Sequence, residues 1–162
     1  YTSTYAANTE TWNGTGWTTQ ESLNNARSTG GGAGLSSSDA IAIMGDSNPY
    51  TSSYVEEWNG TNWTEVSQAN TGRYYIGASG ASSKGALAFG GLTTTAVNNT
   101  ESWNGAAWTE VNNLSAARFT GASGNVGSQN LSAFLAGGGT PDVASTEEWQ
   151  IDDSVLSTVT LS

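Results

Sequence analysis

The residues whose spacing is best suited to chemistry are three arginines that recur along the chain. Arg27, Arg73 and Arg118 each lie ten residues after a tryptophan and account for three of the four cationic side chains. A guanidinium recognises carboxylate, sulfate or phosphate through paired hydrogen bonds, so an array of them could bind an anionic group on a glycan. Alternatively, each arginine pairs with a recurring glutamate and joins neighbouring units. We favour this second interpretation, because a position found in every unit more often serves the fold.

Tyrosines outside the recurring pattern are the other candidate ligand contacts. Tyr50 follows a proline in the irregular stretch SNPYTSSY, and Tyr74 and Tyr75 directly follow a recurring arginine. Aromatic rings with a polar tip are frequent contacts in binding sites. Segments that differ between otherwise similar units are where ligand specificity is expected.

The composition excludes most catalytic chemistry. The chain contains no cysteine and no histidine, so it has no thiolate nucleophile, no Ser-His-Asp triad, no typical zinc site and no imidazole acid–base pair. Two carboxylates could still hydrolyse a glycoside, but no pair of acidic residues stands out by its spacing. No stretch matches a calcium-binding loop. We therefore predict a protein that is not an enzyme and that uses neither a metal nor a cofactor.

The charge balance limits the partners. The chain of 162 residues carries 14 acidic and 4 basic side chains, which gives a net charge of -10. An acidic surface repels nucleic-acid phosphates and anionic lipid headgroups. No apolar run approaches the roughly 18 residues of a membrane-spanning helix. We expect no nucleic-acid partner and no membrane insertion, and the length predicts a single domain over residues 1–162.

An internal repeat must position these candidates. Tryptophan recurs at intervals of 45 or 46 residues in two series, and a glutamate lies two residues before each member of the first series. The first tryptophans are Trp12, Trp58, Trp103 and Trp149, the second are Trp17, Trp63 and Trp108, and the glutamates are Glu10, Glu56, Glu101 and Glu147. Units of this length bury a core only against their neighbours. The sequence therefore assigns the tryptophans and glutamates to the structure of the repeat, with the indoles packed in its core.

Each unit contains four predicted strands. The Gly-rich stretch that begins at the arginine, such as RYYIGASG, is the first predicted strand. The apolar run after it, such as ALAFGG, is the second, and we expect it to be fully buried. The third strand, TESW or VEEW, leads through Asn-Gly to the fourth, WTEV, and Asn-Gly predicts a type I′ turn with positive φ at both residues. Four short strands per unit are typical of a propeller blade. We predict an all-β propeller of four-stranded antiparallel blades, with units at about 1–20 (partial), 27–68, 73–113 and 118–162.

These motifs resemble the Kelch repeats. The Gly-Gly pairs at Gly90–Gly91 and Gly137–Gly138, each followed by a strand with tryptophan, are similar to the Kelch pattern. The wording WNG-x-x-WTEV, with an arginine and ALAFGG in the unit, resembles the Kelch-like repeats of marine bacteriophage tail and fibre proteins. The resemblance implies a non-catalytic binding or structural module, outside the cell or on a virion, that contacts a host-surface glycan or protein. The alternatives are a secreted carbohydrate-binding propeller and a propeller domain of a glycan-active enzyme.

The count of strands suggests an open array. The chain contains about three and a half blades, and IDDSVLSTVTLS stands where the last unit would have its fourth strand. Propellers close with about four to eight blades. We therefore expect other copies of the chain, or blades upstream of Tyr1, to complete the ring.

Overall fold

The computed structural model describes residues 5–47, 50–119, 121–125, 133–136, 138–139, 144–151 and 156–161. Within these ranges the chain forms fourteen β-strands and no helix. None of the described residues belongs to a helix long and apolar enough to cross a membrane. The strands are β1 (Thr9–Trp12), β2 (Trp17–Gln20), β3 (Gly31–Ser36), β4 (Asp39–Ser47), β5 (Tyr50–Trp58), β6 (Trp63–Glu65), β7 (Gly77–Ser82), β8 (Gly85–Phe89), β9 (Thr100–Trp103), β10 (Trp108–Val111), β11 (Ala122–Asn125), β12 (Ala133–Ala136), β13 (Thr146–Ile151) and β14 (Leu156–Leu161).

The strands form three four-stranded sheets and a hairpin, all antiparallel. Unit 1 is the hairpin β1–β2, unit 2 is β3–β6, unit 3 is β7–β10 and unit 4 is β11–β14, and in each sheet the spatial order follows the chain. This order results from joining each strand to the next by a short connection. The prediction of an all-β chain of four-stranded antiparallel sheets is confirmed. The closing segment supplies β14, which pairs with β13 as the fourth strand of unit 4.

The sheets stand side by side with their first strands adjacent. Strand β7 lies against β3 on one side and against β11 on the other. A Cβ atom on Gly31 would lie 2.6 Å from the Cβ of Ala78, so the close approach of β3 to β7 requires glycine there. This arrangement is consistent with a propeller-like fold, although the described sheets do not form a closed ring.

The core lies between neighbouring sheets. Strand β8 is buried on both faces, with Ala86 and Ala88 in the cluster that contains Ile41 and Trp103. Its alternate residues, including Leu87, belong to a second cluster toward unit 4. A strand covered on both faces needs an unbroken apolar run, which is why ALAF does not alternate with polar residues. The expectation of a buried second strand is confirmed for β8, whereas β4 is buried only in part, and the side chains of β12 lie outside the described residues.

The first strand begins later than the sequence predicts. The predicted strand opened at Arg73, but β7 starts at Gly77 because Tyr75 has a φ of 53°. Thr29, two residues after Arg27 as Tyr75 is after Arg73, has a φ of 55°, and β3 starts at Gly31. A residue in this left-handed conformation interrupts an extended strand. The bend is therefore a property of the repeat rather than of one unit.

The Asn-Gly hairpins exist, but their turn differs from the predicted one. Trp12 pairs with Trp17, which leaves a loop of four residues rather than two. Gly14 has a φ of 97°, whereas Asn13 is not in the positive region. The Oδ1 atom of Asn13 instead accepts hydrogen bonds of 2.9 Å from the backbone N–H groups of Thr15 and Gly16. The type I′ assignment is wrong, because the asparagine serves as a side-chain acceptor within the turn.

Candidate functional site

The three recurring arginines are buried in ion pairs within their own units. Arg27 Nη1 lies 2.6 Å from Glu56 Oε1, Arg73 Nη2 lies 3.0 Å from Glu101 Oε1, and Arg118 Nη2 lies 2.9 Å from Glu147 Oε1. No side chain in these pairs is more than 4% exposed. This is the geometry that the pairing interpretation predicts. The assignment of Arg27, Arg73 and Arg118 as ligand contacts is corrected, because all three guanidinium groups are buried away from solvent.

The glutamates also bind the segment that enters their unit. The N–H groups of Asn24, Asn70 and Ser115 donate to Glu56, Glu101 and Glu147, over 2.7, 2.8 and 2.7 Å. Each donor lies in the link between two consecutive sheets. One carboxylate therefore holds an arginine and the backbone that brings that arginine into place. These contacts make Glu56, Glu101 and Glu147 structural, whereas Glu10, at the same repeat position, is exposed.

Burial and charge set the pKa values in this arrangement. Burial alone raises the pKa of Glu56, but hydrogen bonds from the Asn24 backbone and from Arg27 outweigh it, and the pKa lies below its ordinary value. Burial lowers the pKa of Arg73, and the attraction of Glu101 offsets this only in part. The lowered pKa of Glu56 is opposite in direction to the raised pKa that a general acid needs near neutral pH.

The tryptophans form one ring pair per hairpin, but their burial differs between units. The ring centroids are 5.4 Å apart in each of the pairs Trp12–Trp17, Trp58–Trp63 and Trp103–Trp108. Trp58 and Trp103 are 4% and 1% exposed, as core packing requires. Trp12 and Trp17 are 50% and 66% exposed, so their assignment to the core is wrong. The side chain of Trp149 lies outside the described residues.

Trp12, one of the two exposed tryptophans of unit 1, borders a groove, which we call the Trp12 groove. Its volume is about 370 Å³, and it lies between the hairpin and the sheet of unit 2. Glu10, exposed to solvent, is one of its lining residues. Trp63 Nε1 donates to Thr9 Oγ1 over 3.0 Å and closes one side. The lining residues are Thr9, Glu10, Thr11, Trp12, Ser36, Ser37, Ala40, Trp58 and Trp63.

A second exposed feature is an aromatic cluster of Tyr74, Tyr75 and Phe119. The ring centroids of Tyr74 and Tyr75 are 5.2 Å apart, and those of Tyr75 and Phe119 are 6.4 Å apart. The Tyr75 side chain is 39% exposed. Its backbone N–H donates to Thr29 O over 2.8 Å, so the cluster spans units 2, 3 and 4 where their first strands begin. The bend at Tyr75 turns one ring outward at a junction of three units.

The sequence found two members of this cluster and missed the third. Phe119 follows Arg118 as Tyr74 follows Arg73, and this shared position was the signal that could have identified it. Tyr50 lies in β5 opposite Ser47 rather than in an irregular loop, and its side chain is outside the described residues. The neighbouring Asp46 exchanges two backbone hydrogen bonds with Ser28. The β4–β5 tip therefore lies at the same end of the sheets as the aromatic cluster.

Comparison with known proteins identifies the fold but no family. No family model matches the chain, and no curated protein matches it. The chain is similar to the solved structure of YjhT, with a TM-score of 0.75 and 14% sequence identity. The match covers 88% of this chain and 48% of the YjhT chain, so the chain spans about half the length of that structure. At this identity the likeness shows a shared all-β architecture and nothing about a ligand.

Proposed function

We propose that the chain is a segment of a Kelch-like β-propeller, of about three and a half blades, that serves as a non-catalytic binding or structural module. Consecutive four-stranded sheets with adjacent first strands support the propeller, as does the fold likeness to YjhT. The repeat motif WNG-x-x-WTEV resembles the repeats of bacteriophage tail and fibre proteins, which supports a location outside the cell in such a structure. The module contacts a glycan or protein on the host surface.

The aromatic cluster is the observation that carries this proposal. Tyr74, Tyr75 and Phe119 place two close ring pairs at one end of the sheets, and the outermost ring is accessible. Rigid aromatic side chains provide contact area at a low cost in conformational entropy. Of the two bends that the structure describes, the one at Thr29 carries no ring and the one at Tyr75 does. Weak contacts at this end gain avidity when several copies are displayed together.

The charges favour a neutral ligand. The arginines of the three ion pairs are inside the sheets, and Lys84 pairs with Glu57. The net charge of -10 repels sulfated or carboxylated glycans. Recognition therefore rests on ring stacking and on hydrogen bonds from hydroxyl and backbone groups, which suits a neutral sugar. The same ion pairs occupy Glu56, Glu101 and Glu147, which supports a non-catalytic role for these three carboxylates.

A glycan array tests the proposal with two matched variants. Tyr75→Gly and Thr29→Gly both place glycine at a positive φ, but only Tyr75→Gly removes a ring from the aromatic cluster. We expect Tyr75→Gly to weaken binding to neutral glycans about tenfold or more, which corresponds to about 1.4 kcal/mol, whereas Thr29→Gly binds as the unmodified chain does. Equal binding by both variants would exclude the cluster as the site. An unmodified chain that binds no glycan would leave a purely structural module.

A secreted carbohydrate-binding propeller is the second candidate, because the same aromatic cluster would serve it. The two candidates differ in whether the chain is built into a particle. Electron microscopy of purified virions with an antibody against the chain distinguishes them: label on the particle supports the first, and antigen found only in the medium supports the second. Shortened glycans on the array would favour the third candidate, a domain of a glycan-active enzyme.

A further inference from the structure

A loop of unit 3 begins beside the aromatic cluster. It covers residues 92–97, within the connection from β8 to β9, and we call it the threonine loop because residues 93–95 are all threonine. Its first residue, Leu92, exchanges two backbone hydrogen bonds with Tyr74, of 3.1 and 2.8 Å. The loop therefore leaves the sheet at the backbone that carries one ring of the cluster.

The threonine loop also returns to the cluster. The Val97 carbonyl accepts a hydrogen bond from the Arg118 N–H over 3.2 Å, and the Gly91 N–H donates to the Arg118 carbonyl over 2.8 Å. Arg118 directly precedes Phe119, which supplies the ring from unit 4. Both ends of the loop are thus anchored to the backbone beside a ring. Its threonines must lie at the same end of the sheets as the aromatic cluster.

The threonine hydroxyls are available to a ligand. Thr94 and Thr95 are exposed, and Thr93 is half-buried. Within the part of the chain that the structure describes, none of these three hydroxyls has a hydrogen-bond partner, while Thr93 N donates to Thr95 O over 3.1 Å and holds the stretch together. A hydroxyl can both donate and accept a hydrogen bond. The loop therefore presents three donor–acceptor groups beside an exposed aromatic surface.

Unit 2 lacks both features at the equivalent positions. Ser28 stands where unit 3 has Tyr74, so no ring is present there. Strands β4 and β5 remain paired as far as Ser47 and Tyr50, where unit 3 has the threonine loop. The rings and the free hydroxyls occur together in unit 3, as expected of a binding surface that is added to a repeated frame.

We propose that the aromatic cluster and the threonine loop form one site for a neutral hexopyranose, whose ring stacks on Tyr75 and whose edge hydroxyls bind Thr94 and Thr95. The C–H face of a pyranose packs against an aromatic ring, while its hydroxyls point outward along the edge of the sugar. An exposed ring beside a hydroxyl-bearing loop matches these two surfaces. The inference rests on the proposed function. It narrows the ligand to a sugar and assigns the residues that distinguish one sugar from another.

Saturation-transfer NMR with the methyl glycosides of galactose, glucose and mannose tests the site on the full chain. Irradiating the aromatic protons transfers signal to the sugar protons that contact a ring. We expect transfer to the C–H face of at least one sugar, and Tyr75→Gly should remove it. Thr94→Val and Thr95→Val remove a hydroxyl and keep the side-chain shape, so at least one should raise the Kd about fivefold or more. Thr109→Val, at an exposed threonine of β10, is the matched control and should bind normally.

Monodeoxy derivatives of the sugar that binds identify the paired hydroxyls. Loss of one sugar hydroxyl should weaken binding to the unmodified chain about fivefold, whereas the valine variant that lacks its partner should bind the deoxy and parent sugars equally. A sugar that requires Tyr75 but binds Thr94→Val, Thr95→Val and the unmodified chain equally would overturn the inference and leave the proposed function intact. Absence of transfer to all three glycosides would overturn the site together with the glycan ligand of the proposed function.

Discussion

Replacing Glu101 by alanine should destabilise the chain far more than the same replacement at Glu10, the equivalent position of unit 1. Glu101 Oε1 lies 3.0 Å from the buried Arg73 guanidinium, and its Oε2 accepts from Asn70 N over 2.8 Å. The substitution leaves one buried charge and one backbone N–H without their acceptor. Glu10 is exposed, so its removal leaves no buried group unpaired.

The magnitude follows from these contacts. Removing one partner of a buried ion pair costs about 3–5 kcal/mol. The Asn70 N–H belongs to an exposed residue and can turn to water, so the loss of its acceptor adds little. Arg73 keeps hydrogen bonds to Gly90 O and Asn99 O, at 2.6 and 2.7 Å, and these offset part of the loss. We therefore expect a decrease of about 4 kcal/mol in the free energy of unfolding for Glu101→Ala. Glu10→Ala should change it by less than about 0.5 kcal/mol.

Urea unfolding at pH 7, followed by tryptophan fluorescence, measures the free energy of unfolding of both variants, and thermal unfolding measures their melting temperatures. At about 2–4 °C per kcal/mol, the melting temperature should fall by about 8–16 °C for Glu101→Ala and by at most about 2 °C for Glu10→Ala. The glutamine variants at the same two positions are the volume-matched controls. Equal losses at Glu101 and Glu10 would refute the argument, because they would show that the buried pair contributes no more than an exposed carboxylate.

Two further predictions concern packing and pH. A Cβ atom on Gly77 would overlap the Phe89 ring, whereas one on Gly16 meets nothing within 4 Å, so Gly77→Ala should cost about 1–3 kcal/mol in urea unfolding and Gly16→Ala almost nothing. Hydrogen bonds from Asn24 and Arg27 hold the folded-state pKa of Glu56 below the ordinary value of a glutamate, despite its burial. The stabilisation is therefore present above that ordinary value and is lost as pH falls through the folded pKa. The urea midpoint of Glu56→Gln should therefore fall less steeply below pH 4.5 than that of the unmodified chain, and parallel curves would contradict this.

The sequence predicts the repeat well because its physical causes are local or periodic. Buried strands need unbroken apolar runs. Ion pairs that recur with the unit appear as Arg and Glu 28 or 29 residues apart, as Arg73 and Glu101 show. The detail of the asparagine turn was not predictable from the Asn-Gly dipeptide, since the acceptor role of Asn13 depends on a four-residue loop. The bend at Tyr75 was not predictable either, because its positive φ falls on a tyrosine rather than on a glycine.

The candidate site was less predictable for a different reason. The exposure of Trp12 depends on what lies beside β1, because Trp103, at the equivalent position of unit 3, is buried. Phe119 joins Tyr74 and Tyr75 only because units 3 and 4 bring their first strands together. Contacts between units are set by three-dimensional neighbours, and a repeat position alone does not specify them.

The hydrogen bonding of the links has a consequence for how such a gene changes length. Leu23 N donates to Ala7 O in unit 1, while Asn24 N donates to Glu56 in unit 2, and the link before β11 repeats both contacts. Recombination between near-identical stretches that adds or removes one whole repeat therefore encodes a chain whose every junction is satisfied. A deletion that ends between an arginine and its glutamate, by contrast, leaves one member of a buried ion pair without its partner. Selection for folding thus leaves repeat number free to vary in whole units.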